Sequence, residues 1–234
     1  MATYALIHGA AGDSWYWHRV VPLLLARGHD VVAPDLPCED DSARFTDYAD
    51  VVVDAIGNRR EVVVVAQSLG GFTGPLVCER IPVDLLVMLN AMVPSPGESG
   101  AEWWTNTGYE DAFRAKAIED GRNPDDDFDL DVVFFHDVPT DVRDEAMVRG
   151  AKDQSGTPMD QPWPLKGWPN VPTRFIAARD DRFFPLDFLR RTVKERLGID
   201  PHEMDGGHLV ALSRPGDLVE LLERFRLEVS SDAE

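Results

Sequence analysis

The chain of 234 residues is long enough to bury one sizeable core, and a hydrophobic content of 44% suits a soluble globular fold. It carries 23 basic against 42 acidic residues, net −19, which argues against nucleic acid and anionic membrane surfaces as partners. No apolar run approaches the roughly 20 residues that cross a bilayer, and Met1-Ala2-Thr3 leads straight into a strand without a basic leader, so a cytoplasmic location is expected.

Apolar runs alternate with amphipathic stretches along the chain. Strands are predicted at Thr3 to Ile7, Asp30 to Ala33, Glu61 to Ala66, Asp84 to Leu89, Thr173 to Ala178 and Ile199 to Glu203. Helices are predicted between them at Val20 to Arg27, Thr46 to Ile56, Leu69 to Arg80, Asp187 to Leu197 and Gly216 to Leu227. Strand, helix, strand in sequence implies an α/β fold: a mostly parallel sheet of about six strands with helices on both faces.

From Pro94 to Asn170 this rhythm breaks, and only short helical stretches such as Glu110 to Glu119 and Thr140 to Gly150 stand out. An insertion of that length between two strands is expected to cover the strand ends as a cap. The expected organisation is a core of residues 1–93 and 171–234 with a cap at 94–170. Trp103, Trp104, Phe134, Phe135, Met159 and Trp163 are candidates either to line an apolar pocket or to hold the cap on the core. The segment has 7 basic and 17 acidic residues, so a negative rim disfavouring polyanionic substrates is one expectation and a simple solubility surface the other. Asp125, Asp127 and Asp129 have the spacing of a calcium loop, but Leu130 replaces the turn glycine and His136 stands where a bidentate glutamate is needed. Cys38 and Cys78 are too few for a disulfide scaffold and are expected as free thiols.

The most informative stretch is Val62-Val63-Val64-Val65-Ala66-Gln67-Ser68-Leu69-Gly70-Gly71. Consecutive β-branched residues suit a strand buried on both faces, and the serine falls at its C-terminal end, where open α/β sheets bind ligands. A sharp strand-to-helix turn there demands small residues two before and two after the serine, which Ala66 and Gly70 supply. By itself the pattern is equally that of a helix N-terminus with Ser68 as its capping hydroxyl. A nucleophilic serine needs a base and a carboxylate, in the chain order Ser, Asp or Glu, His. Asp180 and Asp181 follow the strand ending at Ala178, and His208 follows Gly206-Gly207 on a glycine-hinged loop.

With these pieces together, the chain resembles the α/β-hydrolases, most of all the branch of plant-type methylesterases and hydroxynitrile lyases with their bacterial esterase relatives. The resemblance runs from Ala5-Leu6-Ile7-His8-Gly9-Ala10 to Leu212-Ser213-Arg214-Pro215-Gly216-Asp217-Leu218. It rests on His8-Gly9-Ala10 followed by Trp15 and Trp17, on Pro34-Asp35-Leu36, on the serine turn and on Gly206-Gly207-His208.

The resemblance implies Ser68 as nucleophile, His208 as general base and Asp181 as orienting acid. Asp181 is preferred to Asp180 because the family places its acid four residues before a proline, here Pro185. It implies an oxyanion hole made by the backbone amides of Ala10 and Leu69, with His8 fixing the oxyanion turn. His136, Trp104, Phe135 and Leu209 are the candidate substrate contacts. The implied activity is cleavage of a small, largely apolar carboxylic ester through an acyl-enzyme, without metal or organic cofactor. Thioester, lactone or diketone hydrolysis would use the same residues, and a non-catalytic small-molecule receptor on this fold is the alternative of another class. The plant hydroxynitrile lyases carry a lysine directly after the histidine, where this chain has Leu209, and haloalkane dehalogenases carry an aspartate in place of Ser68.

Overall fold

The computed structural model describes residues 1–232. Strands β1 (Thr3–Ile7), β2 (Asp30–Val32), β3 (Val62–Gln67), β4 (Leu85–Leu89), β5 (Thr173–Ala178) and β6 (His202–Met204) form one sheet in the order β2-β1-β3-β4-β5-β6. Every pairing is parallel. The chain passes from β1 outward to β2 and then returns to lay β3 on the other side of β1. That reversal leaves a crevice at the carboxyl ends of β1 and β3, the switch point where doubly wound sheets bind ligands.

The four valines of β3 explain why it lies inside the sheet. Val62 and Val64 enter one buried layer while Val63 and Val65 enter the other, so no polar face is required. The first layer is built with α2 (Phe45–Ile56), α3 (Gly74–Arg80) and α8 (Leu186–Leu197). The second is built with α1 (Val21–Ala26), α9 (Val210–Ser213) and α10 (Pro215–Asp232). Between β4 and β5 lie α4 (Gly100–Thr107), α5 (Tyr109–Glu119), α6 (Leu130–Val133) and α7 (Thr140–Arg149). No described helix is long and apolar enough to cross a membrane.

Three departures from the sequence expectation have local causes. The helix expected at Leu69 to Arg80 divides into a 3-10 turn, Ser68–Phe72, and α3, which restarts with Pro75 in its first turn. The last strand begins at His202 rather than Ile199, since Pro201 has no N–H to offer a ladder. Helix α4 begins at a capping box in which Ser99 Oγ accepts the Glu102 N–H while the Glu102 carboxylate accepts the Ser99 N–H. That S-x-x-E signal stands in the sequence but precedes no apolar repeat.

Trp103 and Trp163 do not line a pocket. Both are buried, with indole N–H groups donating to the Val93 and Phe72 carbonyls, so they fasten the β4–β5 segment to the core. The aspartates of the apparent calcium loop serve local structure: Asp125 pairs with Arg114, and Asp129 caps α6 through the Asp131 and Val132 amides. Cys38 and Cys78 are free.

A polar cluster joins the sheet to α10. Glu223 accepts hydrogen bonds from Tyr4 and from His29 Nε2, whose Nδ1 takes the Ala2 N–H, and it pairs with Arg226. Burial opposes ionisation of Glu223, but the hydrogen bonds from Arg226, Tyr4 and His29 outweigh it and hold the carboxyl near 2, down from 4.5. A carboxyl whose folded pKa is depressed contributes stability above its unfolded value and loses it as pH falls through the folded one. Urea denaturation should therefore show wild type losing more stability than Glu223→Gln as pH falls from about 4.5 to about 2; parallel losses would contradict this assignment. Separately, a Cβ at Gly71 would lie 1.9 Å from the Met92 carbonyl oxygen. Gly71→Ala should cost about 3 kcal/mol or more in the same measurement.

Candidate active site

The serine turn owes its shape to strain and to close approach. Ser68 has φ +51°, a left-handed conformation that side-chain-bearing residues rarely adopt. Its carbonyl accepts the Met92 N–H at 3.0 Å, tying the turn to the chain beyond β4. A Cβ at Gly70 would stand 3.0 Å from the His8 carbonyl and from Ile7 Cγ2, so only glycine lets the turn settle on β1. Two residues before the serine, the Ala66 methyl fits because Gly74 faces it, where a Cβ would come within 2.8 Å.

His8-Gly9-Ala10 leaves β1 against this turn. His8 Nε2 accepts the Leu36 N–H at 3.1 Å and its Nδ1 donates to the Gly9 carbonyl at 2.8 Å, which requires a neutral ring. Burial holds the His8 pKa below its usual value, in accord with that tautomer. Gly9 has no room for a side chain, since a Cβ would sit 2.4 Å from Gln67 Oε1 and 2.8 Å from Ser68 Cβ. Ala10, Leu69 and Ser68 all line the same cavity. The Leu69 amide is in the first turn of the 3-10 segment, where a helix provides no acceptor for it.

Asp181 and His208 come from the ends of β5 and β6. Asp181 is fully buried; its Oδ1 accepts the Phe183 and Phe184 amides and its Oδ2 accepts His208 Nδ1, all at 2.8 Å. Such a carboxylate is held in one orientation and fixes the imidazole with Nδ1 protonated. Asp180 is exposed and bonds only the loop backbone, through the Gly206 amide. The His208 ring is walled by Phe134, Phe183 and Phe184, with ring centroids 5.1–5.2 Å away. No hydrogen bond joins Ser68 Oγ to His208 among the described residues, and both line the same cavity.

The histidine loop has an anchor that sequence reasoning missed. Asn90, fully buried at φ +43° beyond β4, donates to the Gly207 and His208 carbonyls at 3.3 and 3.2 Å and accepts the Ala178 N–H at 2.8 Å. One side chain thus links the end of β5 to the loop that carries His208. Its signal resembled that of Ser68: a polar residue closing an apolar strand, Leu85 to Leu89.

Ser68 and His208 open onto a cavity of about 640 Å³. Trp104, Phe134, Phe135, Met159 and Leu209 line it. Phe183, Phe184 and Tyr16, which the sequence reading did not single out, line it too. His136 is not among the residues that line it; its Nε2 lies 2.8 Å from where a Cβ on Gly207 would stand. The charged groups at the cavity are Asp13, Arg149 and Lys152, so the acidity of residues 94–170 is not carried into its lining. Arg149 pairs with Asp13, and Lys152 with Glu39.

Comparison with known proteins agrees with this fold. The model of the alpha/beta hydrolase family matches residues 5–221. Norfluorocurarine synthase 1 of Strychnos nux-vomica is 25% identical over 256 residues, 95% of this chain and 94% of that protein. A pyrethroid hydrolase of Sphingobium wenxiniae is 29% identical over 241 residues, 94% of this chain and 86% of that protein. The crystal structure of polyneuridine aldehyde esterase has the same fold, with a TM-score of 0.77 at 22% identity over 96% of this chain and 98% of that one. With a family model spanning nearly its whole length, the chain belongs to the alpha/beta hydrolase family.

Proposed function

We propose that the protein is a serine hydrolase of largely apolar carboxylic esters, acting through an acyl-enzyme on Ser68. The observation that carries this reading is the strained Ser68 turn opening onto the same aromatic cavity as a buried His208 held by Asp181. A hydroxyl presented there has a base within the same space, and the base has a carboxylate to stabilise its imidazolium.

The reaction follows from those positions. His208 Nε2 takes the Ser68 proton as Oγ attacks the ester carbonyl, and the carbonyl π electrons pass to oxygen. The Ala10 and Leu69 amides receive that oxyanion, the second helped by the positive end of its helical turn. Removing one such donor typically costs roughly 3 to 4 kcal/mol of transition-state stabilisation. His208 then gives the proton to the leaving alkoxide as the C–O bond breaks. Water, deprotonated by the same histidine, attacks the acyl carbonyl; the bond to Ser68 Oγ then breaks, His208 returns the proton to Oγ, and the acid leaves. The segment between β4 and β5 acts as a cap that roofs this chemistry.

The cavity favours larger substrates than the sequence alone suggested, since about 640 Å³ is the size of drug-like ligand sites. The pyrethroid hydrolase among the relatives supports a hydrolytic reaction. Leu209 beside the histidine supports hydrolysis over cyanohydrin cleavage, since it offers no cation to a leaving cyanide.

Treatment with a fluorophosphonate should add one label, mapped by peptide mass to Ser68, and Ser68→Ala should keep its fold while losing both label and turnover. Most of the activity surviving in that variant would sink the assignment. Across p-nitrophenyl esters from acetate to hexanoate, kcat/KM should climb by up to about fourfold per methylene, the value of burying each CH₂. A flat or falling series would show that the apolar cavity does not bind the acyl chain.

A further inference from the structure

We infer that Asp137 is a positioning residue for His208, so that the cap and not only the core sets where the base stands. This rests on the serine-hydrolase reading above. Gly207, immediately before His208, donates its N–H to Asp137 Oδ2 at 2.7 Å, a short charge-assisted bond. The other anchors of the loop, Asn90, Asp180 and Asp181, all come from the strand ends of the core. Among the described residues, Asp137 is the cap side chain that hydrogen-bonds this loop.

The contact is close on all sides. A Cβ at Gly207 would meet Asp137 Oδ1 at 2.7 Å and His136 Nε2 at 2.8 Å, and one at Gly206 would meet Asp137 Oδ2 at 3.3 Å. Residues 206 and 207 are thus pressed directly onto the His136-Asp137 pair. Both Asp137 Oδ1 and His136 Nε2 are buried without a partner in the protein. Burying such atoms is costly, and apolar side chains would fill the space without that cost. Cap stability therefore does not explain a carboxylate here, whereas a strong acceptor for the Gly207 amide does. Burial also holds the His136 pKa below its usual value, with Arg182 adding to the effect, so the ring beside the carboxylate is kept neutral at neutral pH.

The same stretch of cap reaches the substrate cavity. Leu130, Phe134 and Phe135 line it, while Arg182, next to Asp181, donates to the Val132 carbonyl at 2.8 Å. Residues 130–137 thereby touch the cavity on one side and the acid and base loops on the other.

The test compares full-length wild type, Asp137→Ala and Asp137→Asn by fluorophosphonate labelling rate and by kcat and KM on p-nitrophenyl butyrate, with thermal melts. Asp137→Ala should lower the labelling rate and kcat by about 10- to 100-fold, the scale of a small misplacement of a catalytic group, while KM stays within about twofold. Asp137→Asn, whose amide oxygen still accepts the Gly207 N–H, should restore most of the loss. If the alanine variant does not fold, Asp137→Ser falls short of the Gly207 amide and should show the same loss. Labelling of the alanine or serine variant at the wild-type rate, a loss confined to KM, or equal losses in Ala and Asn would overturn the positioning role. Failure of wild type to label would instead overturn the serine reading, and the positioning role with it.

Discussion

The left-handed turn at Ser68 is the constraint from which the surrounding architecture follows. A residue with a side chain held there costs on the order of 1–3 kcal/mol, and the turn persists because β3 is paired on both sides and cannot relax alone. The Ser68 carbonyl is bonded to Met92, and Gly9, Gly70, Gly71 and Gly74 let β1, the chain beyond β4 and Ala66 close on it without side chains between. Every one of those contacts is at or inside van der Waals distance for an added methyl group. The strain is spread over the centre of the sheet, and in return the hydroxyl stands at a strand end facing open space.

A second set of restraints holds the opposite wall. His208 sits on a loop with little secondary structure of its own, so its position depends on polar groups that reach it from elsewhere. Asp181 holds the ring, Asn90 the two carbonyls and Asp137 the Gly207 amide. In a buried setting each unmatched group would be expensive, so a network with several matched partners is stiff. The β4–β5 segment is attached to the other wall as well: Gln154 accepts the Ala11 amide and the Lys152 amide donates to the Ala11 carbonyl, just past the oxyanion turn. Glu98, paired with Arg196 of α8 and bonded to Asn106 and Ser95, adds a nearly buried tie at its base. The β4–β5 segment is thus bonded to the rest of the chain at both walls of the cavity.

Local pattern and tertiary placement can be separated residue by residue. The valine run of β3, the serine that ends it and the small residues around it were legible because a buried parallel strand and a sharp turn each restrict side-chain type at fixed spacing. The alternation of strands and helices gave the parallel sheet for the same reason. Asp181 could be separated from Asp180 only by resemblance to a family; in the fold the distinction is burial and a hydrogen bond to His208. Trp103 and Trp104 are neighbours with the same composition signal, yet one is packed in the core and the other faces the cavity, which the helix face decides. His136 attracts attention as a histidine among phenylalanines, but it lies against Gly207 and outside the cavity lining.

The sequence by itself determined the class of fold, the order of its strands along the chain and the serine, aspartate and histidine worth examining, because periodicity, turn chemistry and motif spacing are local properties. Only the tertiary structure decided which side chains meet across the sheet: Asn90 with Gly207, Asp137 with Gly207, and the aromatic residues that share about 640 Å³ of cavity. Asn90 and Gly207, for example, stand 117 positions apart along the chain. Nothing in a chain's local pattern records a distance closed by folding, so their chemistry becomes visible only when the strands are laid side by side.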